Sequence, residues 1–230
     1  MKLLRTIKNY LASFILNEPP IFCNLLRWHE FFIKRLGSQR GAYLEFGVYA
    51  GNSALSFYRA LFDFYNGKIP DGAYPMYLFD SFCGLPKNIN TKDIHPQWYE
   101  GKFDVGGGKN FIEAVTKKGL PREKFVIIEG FYEETLKKFK LPESLKASIV
   151  NIDCDYYSST KLVLTFLRPY LQNGTLLYFD DLLAFSGNPY KGQIAAINEF
   201  NHENTDIGLA PCPAFNNKYE GRVFWAWVNK

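Results

Sequence analysis

Two short apolar runs in this chain stop abruptly at carboxylates. Ala147–Ile152 leads into Asp153-Cys154-Asp155, and Leu176–Phe179 leads into Asp180-Asp181. Apolar runs of this length, rich in β-branched and aromatic residues, read as strands buried in a parallel sheet. A carboxylate is costly to bury without a partner. Neighbouring strands that end in aspartates therefore point to one shared polar mouth, which is where open α/β sheets take their ligands. Asp153, Asp180 and Asp181 together suit a hard divalent cation, since such ions prefer oxygen ligands. The rival reading is that they cap the helices that follow, because aspartate is a common N-cap residue.

Other strand ends carry similar groups. Glu45-Phe-Gly-Val-Tyr-Ala-Gly51 joins an apolar strand to a helix. Gly47 can take a positive φ there, and Gly51 lets backbone approach a ligand closely. Glu45 offers a carboxylate to a ligand ammonium. The spacing is not the dinucleotide fingerprint GxGxxG, and no GxxxxGK[ST] occurs, so nucleotide phosphate is not specifically called for. Asp80, at the end of the next strand, suits the hydroxyls of a ribose. Glu129-Gly130-Phe131-Tyr132 offers a carboxylate, an amide and an aromatic face that suit an adenine. Each group has an ordinary structural explanation, such as a turn glycine or a capping acid. Core packing does not, however, require so many acids along one edge.

The elements that must position these groups alternate strand and helix. Strands are expected at Ala42–Gly47, Pro75–Asp80, Lys124–Glu129, Ala147–Ile152 and Gly174–Phe179. Arg222–Val228 is expected as an antiparallel edge strand with Ile207–Ala210 as partner. Helices are expected at Ser53–Leu61, Asn110–Gly119, Phe131–Lys140, Thr160–Leu171 and Gln193–Phe200. This alternation predicts an α/β fold with a mainly parallel sheet and helices on both faces. Residues 1–39 read as an N-terminal helical extension, broken near Pro19-Pro20, and 40–230 as one catalytic-sized domain. The stretch from Ser81 to Gly108 has no clear periodicity. It carries Trp98, Tyr99 and Phe103 and a Gly106-Gly107-Gly108 hinge candidate, and is expected to be a mobile lid.

The chain is 47% hydrophobic and 17% aromatic, ample for a continuous core. Its net charge of +4 comes without a dense basic block, so nucleic acid is not expected as a partner. The cysteines Cys23, Cys83, Cys154 and Cys212 form no CxxC pair and read as reduced thiols of a cytoplasmic protein. The apolar N-terminal run is too short to span a bilayer. It reads as an amphipathic helix packing on the domain, on a second subunit in a homo-oligomer, or on a membrane surface.

Glu45-Phe-Gly-Val-Tyr-Ala-Gly51, Asp80-Ser-Phe-Cys-Gly-Leu-Pro86, Asp153-Cys-Asp-Tyr-Tyr-Ser-Ser-Thr160 and Asp180-Asp181 closely resemble the macrocin O-methyltransferase family over about residues 40–230. The resemblance implies a Rossmann-like class I methyltransferase fold with a seven-stranded sheet. It also implies S-adenosylmethionine and magnesium as cofactors and a sugar-like small molecule as the hydroxyl acceptor. Carried over to this sequence, Glu45, Gly47 and Gly51 surround the methionine part, and Asp80 and Ser81 the ribose. Gly130 and Phe131 lie near the adenine, and Asp153, Asp180 and Asp181 hold the metal. Asp153 or Asp155 is then the proton acceptor, with His95 of the lid as an auxiliary base. The chain departs from the family pattern at Leu182-Leu183, at Ser158, where a carboxylate is common, and in 87–108. The alternative is a methyltransferase-like binding or assembly module without activity.

Overall fold

The computed structural model describes residues 21–87, 90–215 and 222–229. The helix expected before Pro19-Pro20 lies outside the described residues. Helix α1 spans Ile21–Leu36, followed by β1 (Ala42–Phe46), α2 (Asn52–Phe64), β2 (Met76–Asp80), α3 (Gly108–Lys117) and β3 (Phe125–Glu129). The chain continues through α4 (Tyr132–Lys138), β4 (Ala147–Ile152), α5 (Tyr157–Leu167), β5 (Leu176–Phe179), α6 (Gly192–Glu203), β6 (Ile207–Pro211) and β7 (Val223–Val228).

The seven strands form one sheet in the order β3-β2-β1-β4-β5-β7-β6. All neighbours from β3 to β5 run parallel, and β7 is antiparallel to both β5 and β6. Strands β1, β4 and β5 are buried along their whole length, as expected for strands covered on both faces. Successive residues feed opposite layers. Tyr43, Ile149 and Leu176 pack with Leu25, Phe57 and Phe111 from α1, α2 and α3. Leu44, Val150 and Leu177 pack with Val163, Leu167 and Ala196 from α5 and α6. The Tyr43 and Phe57 rings stack with centroids 3.8 Å apart. Chain connections leave in opposite directions from β1 and β4, and that reversal opens a crevice at the strand carboxyl ends.

The strand expected at the edge, β7, lies between β5 and β6, and one helix differs from expectation at both ends. The helix expected from Thr160 begins at Tyr157 and gives way to a 3₁₀ turn at Arg168–Tyr170, because Pro169 lacks the N–H that would continue it. Its early start has a partner far away in sequence. Tyr156, at the N-cap, makes no side-chain capping bond. Instead buried Asp93 accepts the Ser158 N–H at 3.1 Å. A residue of the long loop thus caps α5 just beyond Asp153–Asp155.

The 83–108 segment has further anchors. Leu85 N–H donates to the Lys102 carbonyl at 2.8 Å and Gly101 N–H to the Leu85 carbonyl at 2.9 Å. Lys92 pairs with Glu199 of α6, and Trp98 sits edge-on to Tyr156 and Phe185. At the hinge candidate, Gly107 N–H donates to the Phe82 carbonyl and Gly108 N–H to Glu129, which fixes the start of α3. Replacing Asp93 by Ala is expected to cost about 0.5–2 kcal/mol, the range for a lost helix cap. It should also make 90–108 the first site of limited proteolysis. Unchanged thermal stability and an unchanged cleavage pattern would contradict that role.

Candidate active site

A cleft of about 400 Å³ opens at the carboxyl ends of the central strands. Asp80, Ser81, Gly130 and Phe131 line one part of it, with Gly47 and Tyr49 from the turn after β1. Asp153, Asp155, Asp180 and Asp181 line another part, faced by Trp98, Lys102 and Phe103 of the long loop. These residues are far apart in sequence and meet because their strands are neighbours.

The aspartates pack tightly. Asp153, Asp180 and Asp181 can each offer an oxygen such that the three atoms lie within 4.8 Å of one another. Burial, then the charges of Asp180 and Asp181, raise the Asp153 carboxyl well above the usual carboxylate range. Burial, then Asp181, raise Asp155 as well, and burial together with Asp180 raises Asp181. Asp155 adopts a left-handed φ of 58°, which turns its N–H onto Asp181 Oδ2 at 3.0 Å. Asp180 accepts the Tyr178 hydroxyl at 2.8 Å and lies 3.4 Å from Arg222 Nη1. Carboxylates crowded in this way repel one another, and a cation of double charge relieves that repulsion. The donor set is all hard oxygen, so it fits magnesium.

Asp80 accepts three backbone N–H groups. Its Oδ2 accepts the N–H groups of Val48 and Tyr49 at 2.6 and 2.8 Å, and Oδ1 accepts Phe82 N–H at 2.7 Å. The carboxylate therefore ties the turn after β1 to the end of β2. Gly47 passes so close to Asp153 that a Cβ there would collide with the Asp153 carbonyl oxygen, and its φ is +84°. Glycine is required at this point on both counts.

Four residues expected at the site are elsewhere. Glu45 is fully buried, with one oxygen accepting the Ser53 hydroxyl and the other the Tyr43 hydroxyl at 2.6 Å. Its carboxyl supports the start of α2 from beneath and does not face the cleft. Gly51 spares a clash with Phe111 and Val115 of α3, so its close approach is to the core and not to a ligand. Glu129 accepts Gly108 N–H at 2.9 Å and caps α3, where its charge meets the positive end of the helix. His95 packs on Trp98 and Phe185, with ring centroids 4.4 and 5.3 Å away, and does not line the cleft. In each case a local structural partner captured a group whose type alone suggested chemistry.

Tyr49, Gln97 and Lys102 line the cleft without having been singled out. Only Tyr49 left a signal, since it sits inside the glycine turn. Tyr49, Phe103 and Asp155 hold positive φ values of 46°, 70° and 58°. Such strained backbone persists where its surroundings over-determine it, and it gathers at binding sites.

Burial raises Glu45 to about pH 7 as its midpoint, against 4.5 normally, with hydrogen bonds from Ser53 and Tyr43 pulling the other way. The folded state thus holds this proton longer than the unfolded chain. The stability it supplies is present below pH 4.5 and is lost as pH rises toward 7. At pH 8 the Glu45→Gln variant is expected to gain up to about 3 kcal/mol on wild type relative to their difference at pH 4. Parallel denaturant titrations showing a pH-independent difference would contradict this.

The order of strands and the antiparallel β7 define a Rossmann-like fold, with the cleft at its strand carboxyl ends. Solved structures that share the fold include three methyltransferases. The calicheamicin methyltransferase CalS11 is 25% identical, with a TM-score of 0.58, over 83% of this chain and 74% of that one. The O-methyltransferase NovP is 17% identical, with a TM-score of 0.62, over 93% and 81% of the two chains. TomG from Streptomyces achromogenes, an O-methyltransferase involved in tomaymycin synthesis and solved with S-adenosylmethionine, is 13% identical, with a TM-score of 0.54, over 97% and 88%. No curated protein sequence matches the chain. Residues 36–207 match the macrocin-O-methyltransferase (TylF) family, and the chain belongs to that family. It is thus an O-methyltransferase by descent. Among the described residues, no helix is long and apolar enough to cross a membrane.

Proposed function

We propose that the protein transfers a methyl group from S-adenosylmethionine to a hydroxyl of a sugar-like or other vicinal-diol small molecule, in a magnesium-dependent reaction. The observation that carries this reading is the set of three convergent carboxylates, Asp153, Asp180 and Asp181, in the same cleft as Asp80, Ser81, Gly130 and Phe131. Family membership supports oxygen as the methylated atom.

Asp153, Asp180 and Asp181 would hold the metal, whose charge makes a nearby hydroxyl easier to deprotonate. Asp80 and Ser81 would hold the ribose, Gly130 and Phe131 the adenine, and Gly47, in the cleft lining, would lie beside the methionine part. Alcohols have a high pKa, so the hydroxyl must lose its proton as the new bond forms. Asp155 suits that task, being in the cleft, outside the ligand set and raised by burial. Asp153 is the second acceptor, in competition with its role as a ligand. Trp98 and Phe103 form a wall that suits the apolar face of a sugar ring, orients it and keeps water out.

Labelled S-adenosylmethionine offered with glycosides, catechols and small acids, with magnesium and with excess chelator, tests this reading. Methylation of diol oxygens that stops in chelator is expected. Full activity in chelator would remove the metal from the reading, and methylation confined to nitrogen or carboxylate would overturn it.

A further inference from the structure

We propose that Lys102 reads an anionic group on the acceptor, so that the preferred substrate is a sugar bearing a phosphate or carboxylate oxyanion. The inference rests on the sugar reading above and narrows it. Lys102 is the only lysine or arginine among the described residues that line the cleft, and it shares that cleft with Asp153, Asp155, Asp180 and Asp181. An ammonium so close to acids would be expected to pair with one of them. It reaches none of them within ion-pair distance, although its charge still acts on Asp155. Its Nζ donates to the Gln97 carbonyl at 2.6 Å and lies over the Phe103 ring at 4.6 Å and the Tyr99 ring at 5.9 Å. None of the ion pairs among the described residues includes it.

The backbone that carries it is fixed from both sides by the Leu85–Lys102 and Gly101–Leu85 hydrogen bonds. The charge is therefore positioned rather than floating on a free loop. An ammonium has three N–H donors, and one is used by Gln97. Two remain for a ligand. A neutral diol bound at the aspartates gains little from such a group. A substrate with an oxyanion beyond its reacting hydroxyl gains a charge-assisted hydrogen bond and an orientation that keeps the anion away from the acidic wall.

The test compares wild type, Lys102→Met and Lys102→Arg on three acceptors: a nucleoside diphosphate hexose, a uronic acid glycoside and the matching neutral glycoside. Wild type should prefer an anionic acceptor, with the better of the two naming phosphate or carboxylate as the source. Lys102→Met should raise KM for that acceptor by about ten- to a hundred-fold. The loss on the anionic acceptor should exceed any change on the neutral glycoside by about ten-fold, and Lys102→Arg should recover most of that difference. Equal loss on neutral and anionic sugars would overturn the proposal, because Lys102 would then only balance the acids. Uridine diphosphate and glucuronate titrated into protein saturated with S-adenosylhomocysteine give a readout without turnover. If no sugar is methylated but one of these anions binds in a Lys102-dependent way, the sugar reading fails and the anion site stands. If neither binds wild type more tightly than Lys102→Met, the anion site fails whatever the acceptor.

Discussion

Replacing Asp181 by Asn is expected to lower methyl transfer by about a hundred- to ten-thousand-fold while leaving the fold intact. Asp181 is one of three carboxylates whose oxygens lie within 4.8 Å of one another, and it also accepts the Asp155 N–H at 3.0 Å. Asparagine keeps the shape and one acceptor oxygen, so the Asp155 turn survives. What is lost is a full negative charge opposite a divalent ion, together with the acidification that such an ion gives a hydroxyl, worth several kcal/mol in the transition state. Each 1.4 kcal/mol is about a factor of ten in rate. The check is single-turnover kinetics over a range of magnesium concentrations, with S-adenosylmethionine binding measured alongside. A variant that turns over at the wild-type rate in low magnesium would remove Asp181 from the ligand set. One that loses cofactor binding as well would show that the acidic cluster and the cofactor end of the cleft are one unit.

Asp80→Ala is expected to weaken S-adenosylmethionine by about ten- to a hundred-fold, the equivalent of a charge-assisted hydrogen bond of about 1.5–3 kcal/mol. The structure adds a second route to the same loss. Oδ2 is fully engaged by the N–H groups of Val48 and Tyr49, while Oδ1 has Phe82 N–H as partner and room for one more donor. A ribose hydroxyl can be that donor. Without the carboxylate, the turn between Gly47 and Gly51 also loses the anchor that holds it against β2. Asp80→Asn separates the two effects, because it keeps acceptor oxygen for the turn and gives up charge at the ribose. Calorimetry is expected to rank the variants wild type, Asn, Ala in falling affinity. Unchanged affinity in both would sink the ribose assignment.

The sheet was legible because its signals are local. Apolar runs such as Ala147–Ile152 and Leu176–Phe179 are strands in the structure, and the helices between them force parallel neighbours. The strand-end acids were legible for the same reason, since an aspartate that stops an apolar run must meet solvent or a ligand. Asp153, Asp155, Asp180 and Asp181 do share one cleft. Sequence could not decide which polar groups remain free once the chain has folded. Glu45 and Glu129 were taken by Tyr43, Ser53 and the Gly108 N–H, partners that lie on other elements or point inward only because of strand register and helix position. Lys102 and Asp93 carried no motif. One became a positioned cation because Gln97 and two rings hold it, the other a helix cap because the long loop crosses the start of α5. Residue type and spacing fixed what each strand end could do chemically, because those properties belong to the chain. Which groups are left to do it was decided by tertiary packing, because strand register and helix position decide which partners compete for the same atoms.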